Sequence, residues 1–200
     1  MALSLIAKTL FKLFLRHGIS KGTRLAKNLG FKSKEIAKAS KSASKKLRNL
    51  PKKDTVTLYR GYPNWFRGSM VKDGNFVGGG GYAAGARGGM FSKVPKQGSL
   101  YTSTSKDFAK KYARKDYDEA LGQYKFLKAR NMAPKKQASL LEIVQKGKGP
   151  VLEFRVPKEF IEFNGLKSRR MINLIDDTNI KGTSYAFPDG IPKEFLVKRF

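Results

Sequence analysis

The sequence predicts an α+β domain preceded by a basic helical extension, and two observations lead to this prediction. The first is charge: residues 1–53 carry 15 Lys/Arg and one acid, a formal charge of +14, whereas residues 54–200 carry 27 Lys/Arg and 14 acids, a charge of +13. The second is pattern, because short runs of alternating β-formers mixed with helix-like segments start only after position 54. Pro51 follows a Lys/Ser-rich run, so we place the boundary near Leu50-Pro51 and divide the chain into residues 1–53 and 54–200.

Composition limits the chemistry. The 200 residues, 40% of them hydrophobic, leave room for one real core. The net charge of +27 indicates an anionic partner: nucleic acid, an acidic protein or a lipid headgroup surface. The chain has no cysteine, which excludes disulfides, thiol nucleophiles and thiolate metal sites. His17 is its only histidine, which excludes metal helices with two histidines, so we predict no metal site.

The extension begins with an amphipathic helix predicted over Met1–Arg16. Its basic residues recur every four positions, and its apolar residues fall at helical spacing on another face: Leu3, Ile6, Leu10, Leu13 and Phe14. The apolar stretch is too short and too charged to span a bilayer, and it is a poor secretory signal because Lys8 interrupts it. Three interpretations stay open: the helix packs on the core or on a partner, residues 1–16 contact a membrane surface, or they form an organellar targeting segment.

Residues 20–49 continue as a Lys/Ala/Ser-rich helical region. Gly22 and Gly30 are the predicted breaks in it. Ser33 is a candidate helix start, without a capping box because Ile36 stands three positions later.

The domain mixes short strands with helices. Residues 55–61 alternate β-formers and predict a strand that ends at Gly61. The other predicted elements are a strand over 99–105, a helix over 106–117, a strand over 151–156 stopped by Pro157, a short helix or turn over 158–163 and a terminal strand over 194–197. Phe108 and Tyr112 share the apolar face of the predicted helix, so we expect them in the core.

A glycine-rich segment follows the first strand. Residues 78–89 hold seven glycines in twelve positions. The segment lacks the strand-loop-helix context and the terminal Gly-Lys-Ser of a nucleotide P-loop, so that interpretation is rejected. Upstream of it, Tyr62, Trp65 and Phe66 are either packing residues or stacking platforms for adenine or another nucleobase.

Three segments carry the candidate chemistry. They are Tyr59-Arg60-Gly61 at the end of the first strand, Tyr101-Thr102-Ser103-Thr104-Ser105 before the helix, and Pro192-Lys193-Glu194-Phe195-Leu196-Val197 at the terminal strand. In this order and at these separations they resemble the Arg-Ser-Glu class of mono-ADP-ribosyltransferases, a group containing many bacterial toxins. The resemblance covers roughly residues 55–200 and implies the ADP-ribosyltransferase-like split β-sheet core with flanking helices.

The resemblance implies a site for NAD, the family's substrate. Arg60 would bind the pyrophosphate, which suits its planar two-pronged donor. Ser103 would lie under the nicotinamide ribose and help to hold Glu194. Glu194 would bind a ribose hydroxyl and stabilise the oxocarbenium-like charge as nicotinamide departs. The implied catalytic residues are Arg60, Ser103 and Glu194, and the implied NAD-binding residues are Arg60, Gly61, Ser103, Thr104 and Ser105, of which Thr104 and Ser105 also support the strand and cap the helix.

The chain departs from the family at one position. Many members carry Glu or Gln two residues before the catalytic glutamate, where it helps to select the acceptor, and here that position is Pro192. The acceptor class is therefore not carried over, and a protein arginine is less favoured. The sister class with a His-Tyr-Glu set is excluded, because His17 lies outside the domain.

The sequence therefore predicts a toxin-like enzyme that transfers ADP-ribose from NAD to a macromolecular acceptor, RNA or protein. We expect a secreted or translocated effector that acts in the target-cell cytoplasm, with an acidic immunity protein as a further partner in the producing cell. Two alternatives stay open: a basic ribonuclease toxin, and a non-enzymatic protein in which residues 1–53 bind nucleic acid or membrane.

Overall fold

A computed structural model describes residues 5–63, 71–78, 98–167 and 183–200. These residues form five helices: α1 (Leu5–Asn28), α2 (Ser33–Arg48), α3 (Lys106–Ala129), α4 (Pro134–Gln145) and α5 (Lys158–Asn164). They also form nine strands: β1 (Thr55–Gly61), β2 (Val71–Lys72), β3 (Asn75–Phe76), β4 (Leu100–Ser103), β5 (Val151–Pro157), β6 (Leu166–Lys167), β7 (Ser184–Phe187), β8 (Ile191–Pro192) and β9 (Leu196–Arg199). Short 3₁₀ turns cover Lys52–Asp54 and Lys193–Phe195.

The strands form a main antiparallel sheet and a small one. The main sheet has six strands in the order β6-β7-β4-β1-β5-β9, and the small sheet has the order β2-β3-β8. Strand β1 pairs with β5 along its whole length, but it pairs with β4 at one position only, where Tyr59 lies opposite Ser103. The predicted α+β class is confirmed.

Helix α3 packs against the end of β1. Leu58 and Tyr62 belong to the main core, whereas Tyr59 packs with Ala109 and Ala113 of α3, as alternation along a strand requires. Gly61 lies where the helix backbone is closest: a Cβ there would overlap the carbonyl oxygen of Ala109. Only glycine fits at this point, and its absence of a side chain allows the helix to lie directly on the strand.

The extension shares the main core. Leu47 of α2 is a buried member of that core, and Phe11, Leu15 and Ile19 of α1 pack against it. A second cluster joins the two helices to each other through Leu10, Phe14, Ala26, Ile36 and Ala43. The interpretation that the first helix packs on other parts of the protein is therefore confirmed for Leu10 and Phe14, while Ile6 is 42% exposed and Leu3 lies outside the described residues.

Helix boundaries in the extension differ partly from the prediction. Gly22 lies inside α1, and the interruption falls instead at Gly18, whose φ of 73° and ψ of 166° are not helical. Gly30 does interrupt the helical region: it lies between α1 and α2 and has a φ of 83°. The candidate cap Ser33 is instead the first residue of α2, and Lys32 is the N-cap; Glu35 is the third helical residue, and its carboxylate accepts the Lys32 N–H at 3.2 Å. The prediction missed this cap because Ser33 as the N-cap places Ile36 at the third helical position, whereas with Lys32 as the N-cap Glu35 occupies it.

The bounds of three predicted elements of the domain differ from those in the structure. The strand predicted over 99–105 is the shorter β4, and the helix predicted over 106–117 continues to Ala129. Glu194 does not begin a strand, because residues 193–195 form a 3₁₀ turn and β9 starts at Leu196. Residues 79–97, which include most of the glycine-rich segment, lie outside the described residues, as do Trp65 and Phe66. In the described ranges, no helix has the length and apolar character to cross a bilayer.

Candidate active site

Arg60 lies near the end of β1 and bonds to the neighbouring strand β4. Its side chain comes from β1 and is only 8% exposed, and its Nη1 donates to the carbonyl oxygen of Tyr101 at 3.1 Å. Because Tyr59 faces Ser103, a longer antiparallel ladder would place Gly61 opposite Tyr101. The guanidinium therefore bonds to a β4 carbonyl at a position where β1 and β4 do not pair.

Two tyrosine rings flank the Arg60 guanidinium. Its central carbon lies 5.1 Å from the ring centroid of Tyr62 and 4.7 Å from that of Tyr112 on α3. Tyr62 is fully buried and donates its hydroxyl to the Val77 carbonyl at 3.1 Å. Burial raises the pKa of Tyr62 to about 12, although the nearby Arg60 opposes the shift, so the phenol is neutral at physiological pH. The rings thus present neutral aromatic faces to the cation.

Tyr112 is a residue of this site that the sequence reasoning missed. It was expected in the core, but it is 37% exposed and lies against Arg60. Its position three residues after Ala109 and one before Ala113 places it on the side of α3 that meets Gly61. No local sequence signal marks this contact, because it depends on how closely α3 lies against the end of β1.

The charge of Arg60 is not balanced by a carboxylate in the described part of the chain. Its Nε is buried without a hydrogen-bond partner there, and no described acid forms an ion pair with it. A buried cation that is held by one carbonyl and by the side chains of two tyrosines is costly to desolvate. An anion beside the guanidinium would lower that cost, so the environment of Arg60 suits an anion-binding arginine.

The three hydroxyl residues after Thr102 tie the end of β4 to its neighbours. Ser103 is 1% exposed, and its Oγ accepts the Ser105 N–H at 2.9 Å. Ser105 Oγ accepts the Phe108 N–H at 3.2 Å, which confirms the predicted cap of α3. Thr104 exchanges two hydrogen bonds with Thr183, through its Oγ1 at 2.8 Å and its N–H at 2.9 Å. The predicted supporting role of Thr104 is confirmed by these bonds.

Glu194 lies on another element and is held by the extension. Its Oε1 accepts the N–H of Ile19 at 2.5 Å, directly after the interruption at Gly18. Residues that restart a helix leave free N–H groups, so a carboxylate there satisfies one of them and faces the positive end of the helix dipole. Pro192 fills the space beside Gly18, where a Cβ would overlap the proline ring.

The structure thus gathers most of the predicted site residues at one place. Arg60 and Gly61 end β1, and Ser103, Thr104 and Ser105 lie between the adjacent β4 and the start of α3. Glu194 is bonded to Ile19 and forms no hydrogen bond or ion pair with Arg60 or Ser103 within the described ranges. Its catalytic role stays a prediction.

The described residues contain no group of three or more His, Asp or Glu side chains placed to hold a metal ion. Comparison of the chain with models of known protein families, with curated proteins and with solved structures finds no match.

Proposed function

We propose that this protein is a toxin-like mono-ADP-ribosyltransferase that uses NAD as its substrate. The observation that carries the proposal is the buried Arg60, which has no carboxylate partner among the described residues and donates a hydrogen bond to β4, the strand that carries Ser103. A dinucleotide supplies the missing negative charge through its pyrophosphate, and the forked guanidinium matches two phosphate oxygens. The unpartnered Nε fits such a group.

The reaction breaks the bond between ribose C1′ and the nicotinamide nitrogen. Nicotinamide leaves with the electron pair, positive charge develops on the ribose, and the acceptor nucleophile bonds to C1′ and releases its proton. In our proposal Arg60 binds the pyrophosphate, and Glu194 stabilises the positive charge. Ser103, fixed by its bond to the Ser105 N–H, lies under the nicotinamide ribose.

Ile19 gives Glu194 a defined orientation in this scheme. The Ile19 N–H engages Oε1, which leaves Oε2 for a ribose hydroxyl. The extension then takes part in positioning the catalytic carboxylate. Two residues before Glu194, Pro192 lacks the polar group that many family members use there to select the acceptor. A macromolecular acceptor, RNA or protein, agrees with the net charge of +27.

The experiment uses the full chain with NAD labelled in its adenylate part. Nicotinamide release and label transfer to total RNA or total protein are measured together with NAD affinity by calorimetry. Arg60→Lys should weaken NAD binding because the fork is lost while the charge is kept. Arg114→Lys is the matched control, since Arg114 lies on the exposed surface of α3 and, among the described residues, pairs with Asp118 alone.

Three results would overturn the proposal. Equal NAD affinity of wild type and Arg60→Lys would make Arg60 a structural residue. RNA fragments formed without NAD would indicate a ribonuclease instead. Absence of nicotinamide release, label transfer and RNA cleavage would indicate a protein that only binds.

A further inference from the structure

A basic groove lies on the extension, formed by elements other than β1 and β4. It has a volume of about 820 Å³ and runs along α2. Phe11 of α1 and Leu50 form its apolar part, and four lysines of α2 line it: Lys38, Lys41, Lys45 and Lys46. The Lys46 ammonium lies 5.7 Å from the centroid of the Phe11 ring. We call this surface the lysine groove.

The charge of the lysine groove has no counterpart in the described part of the chain. All four lysines are exposed, and none of them forms an ion pair with a described acid. Glu35 is the only acidic residue in residues 1–53, and its carboxylate is used to accept the Lys32 N–H. The groove therefore presents a concentrated positive potential to a ligand.

The lysines form a line because of their spacing. Lys38, Lys41 and Lys45 follow each other at three and four positions, which keeps them on one side of α2 over a length of about 10 Å. Ile36, on the opposite side, is buried against α1. A repeating row of single charges beside an aromatic ring is suited to a ligand with repeating anions and flat apolar groups.

We propose that the lysine groove binds single-stranded nucleic acid, with phosphates along the lysines and a base against Phe11. Nucleic acid supplies both features, since proteins that bind single strands combine a basic groove with aromatic platforms. A lipid headgroup surface supplies charge but no flat rings to stack on Phe11, and binding to vesicles is one outcome of the test. An acidic peptide supplies charge but no regular stacking partner for the ring. The binding needs no NAD, so it stands independently of the proposed transferase activity.

The test measures fluorescence anisotropy of a labelled oligouridylate of about twelve nucleotides, the upper range for one small binding site. The triple variant Lys38→Gln/Lys41→Gln/Lys45→Gln is compared with Lys125→Gln/Lys135→Gln/Lys136→Gln, three exposed lysines of α3 and α4. Both variants lose three charges. The groove variant should bind roughly tenfold more weakly or worse, and the slope of log affinity against log salt should fall by about 2, since three phosphate contacts are lost. The control should stay near wild type.

A second variant tests the ring. Phe11→Leu keeps an apolar side chain in the packing and should weaken binding about fivefold or more without changing the salt slope, because stacking is lost and phosphate contacts are kept. Thermal unfolding checks that the variant is folded.

Several outcomes would overturn the proposal. These are equal losses in the two triple variants, no binding of the oligonucleotide, unchanged affinity in a folded Phe11→Leu protein, and tighter binding of poly-glutamate or phosphatidylserine vesicles than of the oligonucleotide. If the wild-type protein binds the oligonucleotide but releases no nicotinamide from NAD, the proposed transferase activity is contradicted and the proposed nucleic-acid binding is not.

Discussion

Glu194 accepts a hydrogen bond of 2.5 Å from the N–H of Ile19, a residue 175 positions earlier in the chain. The bond forms where Gly18 interrupts α1, so the second half of that helix starts with a carboxylate at its amino end. The residue proposed to stabilise the ribose charge is therefore also a helix cap. Substitutions at this contact separate the two roles.

Glu194→Gln should abolish most of the NAD cleavage and should change the stability of the fold little. The amide oxygen still accepts the Ile19 N–H, but the negative charge is gone, so NAD cleavage should fall by roughly two to three orders of magnitude. Nicotinamide release and thermal unfolding are the measurements. Glu162→Gln, an exposed carboxylate on α5, is the control that should change neither. Wild-type release from a folded Glu194→Gln protein would remove Glu194 from the mechanism.

Gly18→Ala should destabilise the fold strongly. The backbone of Gly18 is left-handed, and the added Cβ would overlap the ring of Pro192, so unfolding should become easier by roughly 2–5 kcal/mol from backbone strain and overpacking together. Gly122→Ala on α3 is the same change in open space, and it should stabilise by about 1 kcal/mol through helix propensity. Denaturant unfolding measures both. Equal effects would contradict the assigned role of Gly18.

Tyr112→Leu should weaken NAD binding, and Tyr112→Phe should not. The ring face beside the Arg60 guanidinium is lost in the first variant and kept in the second. A cation–π contact of this kind is worth about 0.5–2 kcal/mol, which corresponds to a few-fold to about thirtyfold in affinity. Calorimetry with NAD distinguishes the pair. A similar loss in both variants would point to the hydroxyl and not to the ring.

Removing residues 1–50 should lower the melting temperature and NAD cleavage together. The deletion takes Leu47 out of the main core, and it breaks the Arg16–Glu159 ion pair of 2.6 Å. Leu47→Ala alone should cost about 2–5 kcal/mol, the range for emptying a buried leucine site. A truncated protein that keeps both the stability and the activity of the full chain would show that the extension is an independent appendage.

Stability should fall as the pH drops below about 7, because of His17. Burial, together with the positive charges of Lys21 and Arg16, lowers the pKa of His17 in the folded protein below its ordinary value of 6.5. The unfolded chain then binds more protons in the window from 6.5 down to the folded pKa, so protonation favours unfolding there. His17→Gln should remove this slope, since His17 is the only histidine. The test compares the unfolding free energies of the wild type and of His17→Gln at several pH values between about 5 and 8. Parallel curves for the two proteins would contradict the prediction.

Local patterns were enough to predict the elements beside the candidate site. The strand over 55–61 followed from alternating β-formers, and the structure has β1 at those residues. The cap of α3 followed from Ser105 before a helical pattern, and its bond to Phe108 confirms it. These features depend on residues close together in the sequence, where propensity and capping act directly.

The missed features depend on distant residues. The interruption at Gly18 arises because Pro192 and Glu194 press against α1, and nothing near Gly18 in the sequence signals them. The 3₁₀ turn at Glu194 was also missed. The apolar residues after Glu194 favoured one continuous strand, whereas in the structure β8 of the small sheet ends at Pro192 and the turn follows it. The contact of Tyr112 with Arg60 likewise needed the register between a helix and a strand.

The bond between Ile19 and Glu194 also affects how the protein is made. Ribosomes add about 5–20 residues per second, so the 175 positions between the two residues take roughly ten to thirty seconds to synthesise. During that time α1 and α2 can pack against each other through their shared cluster. The complete main core, which Phe11, Leu15 and Leu47 contact in the folded protein, is not yet present. The side chains of α1 and α2 that contact the main core therefore stay without their full set of partners until residues 191–195 are synthesised.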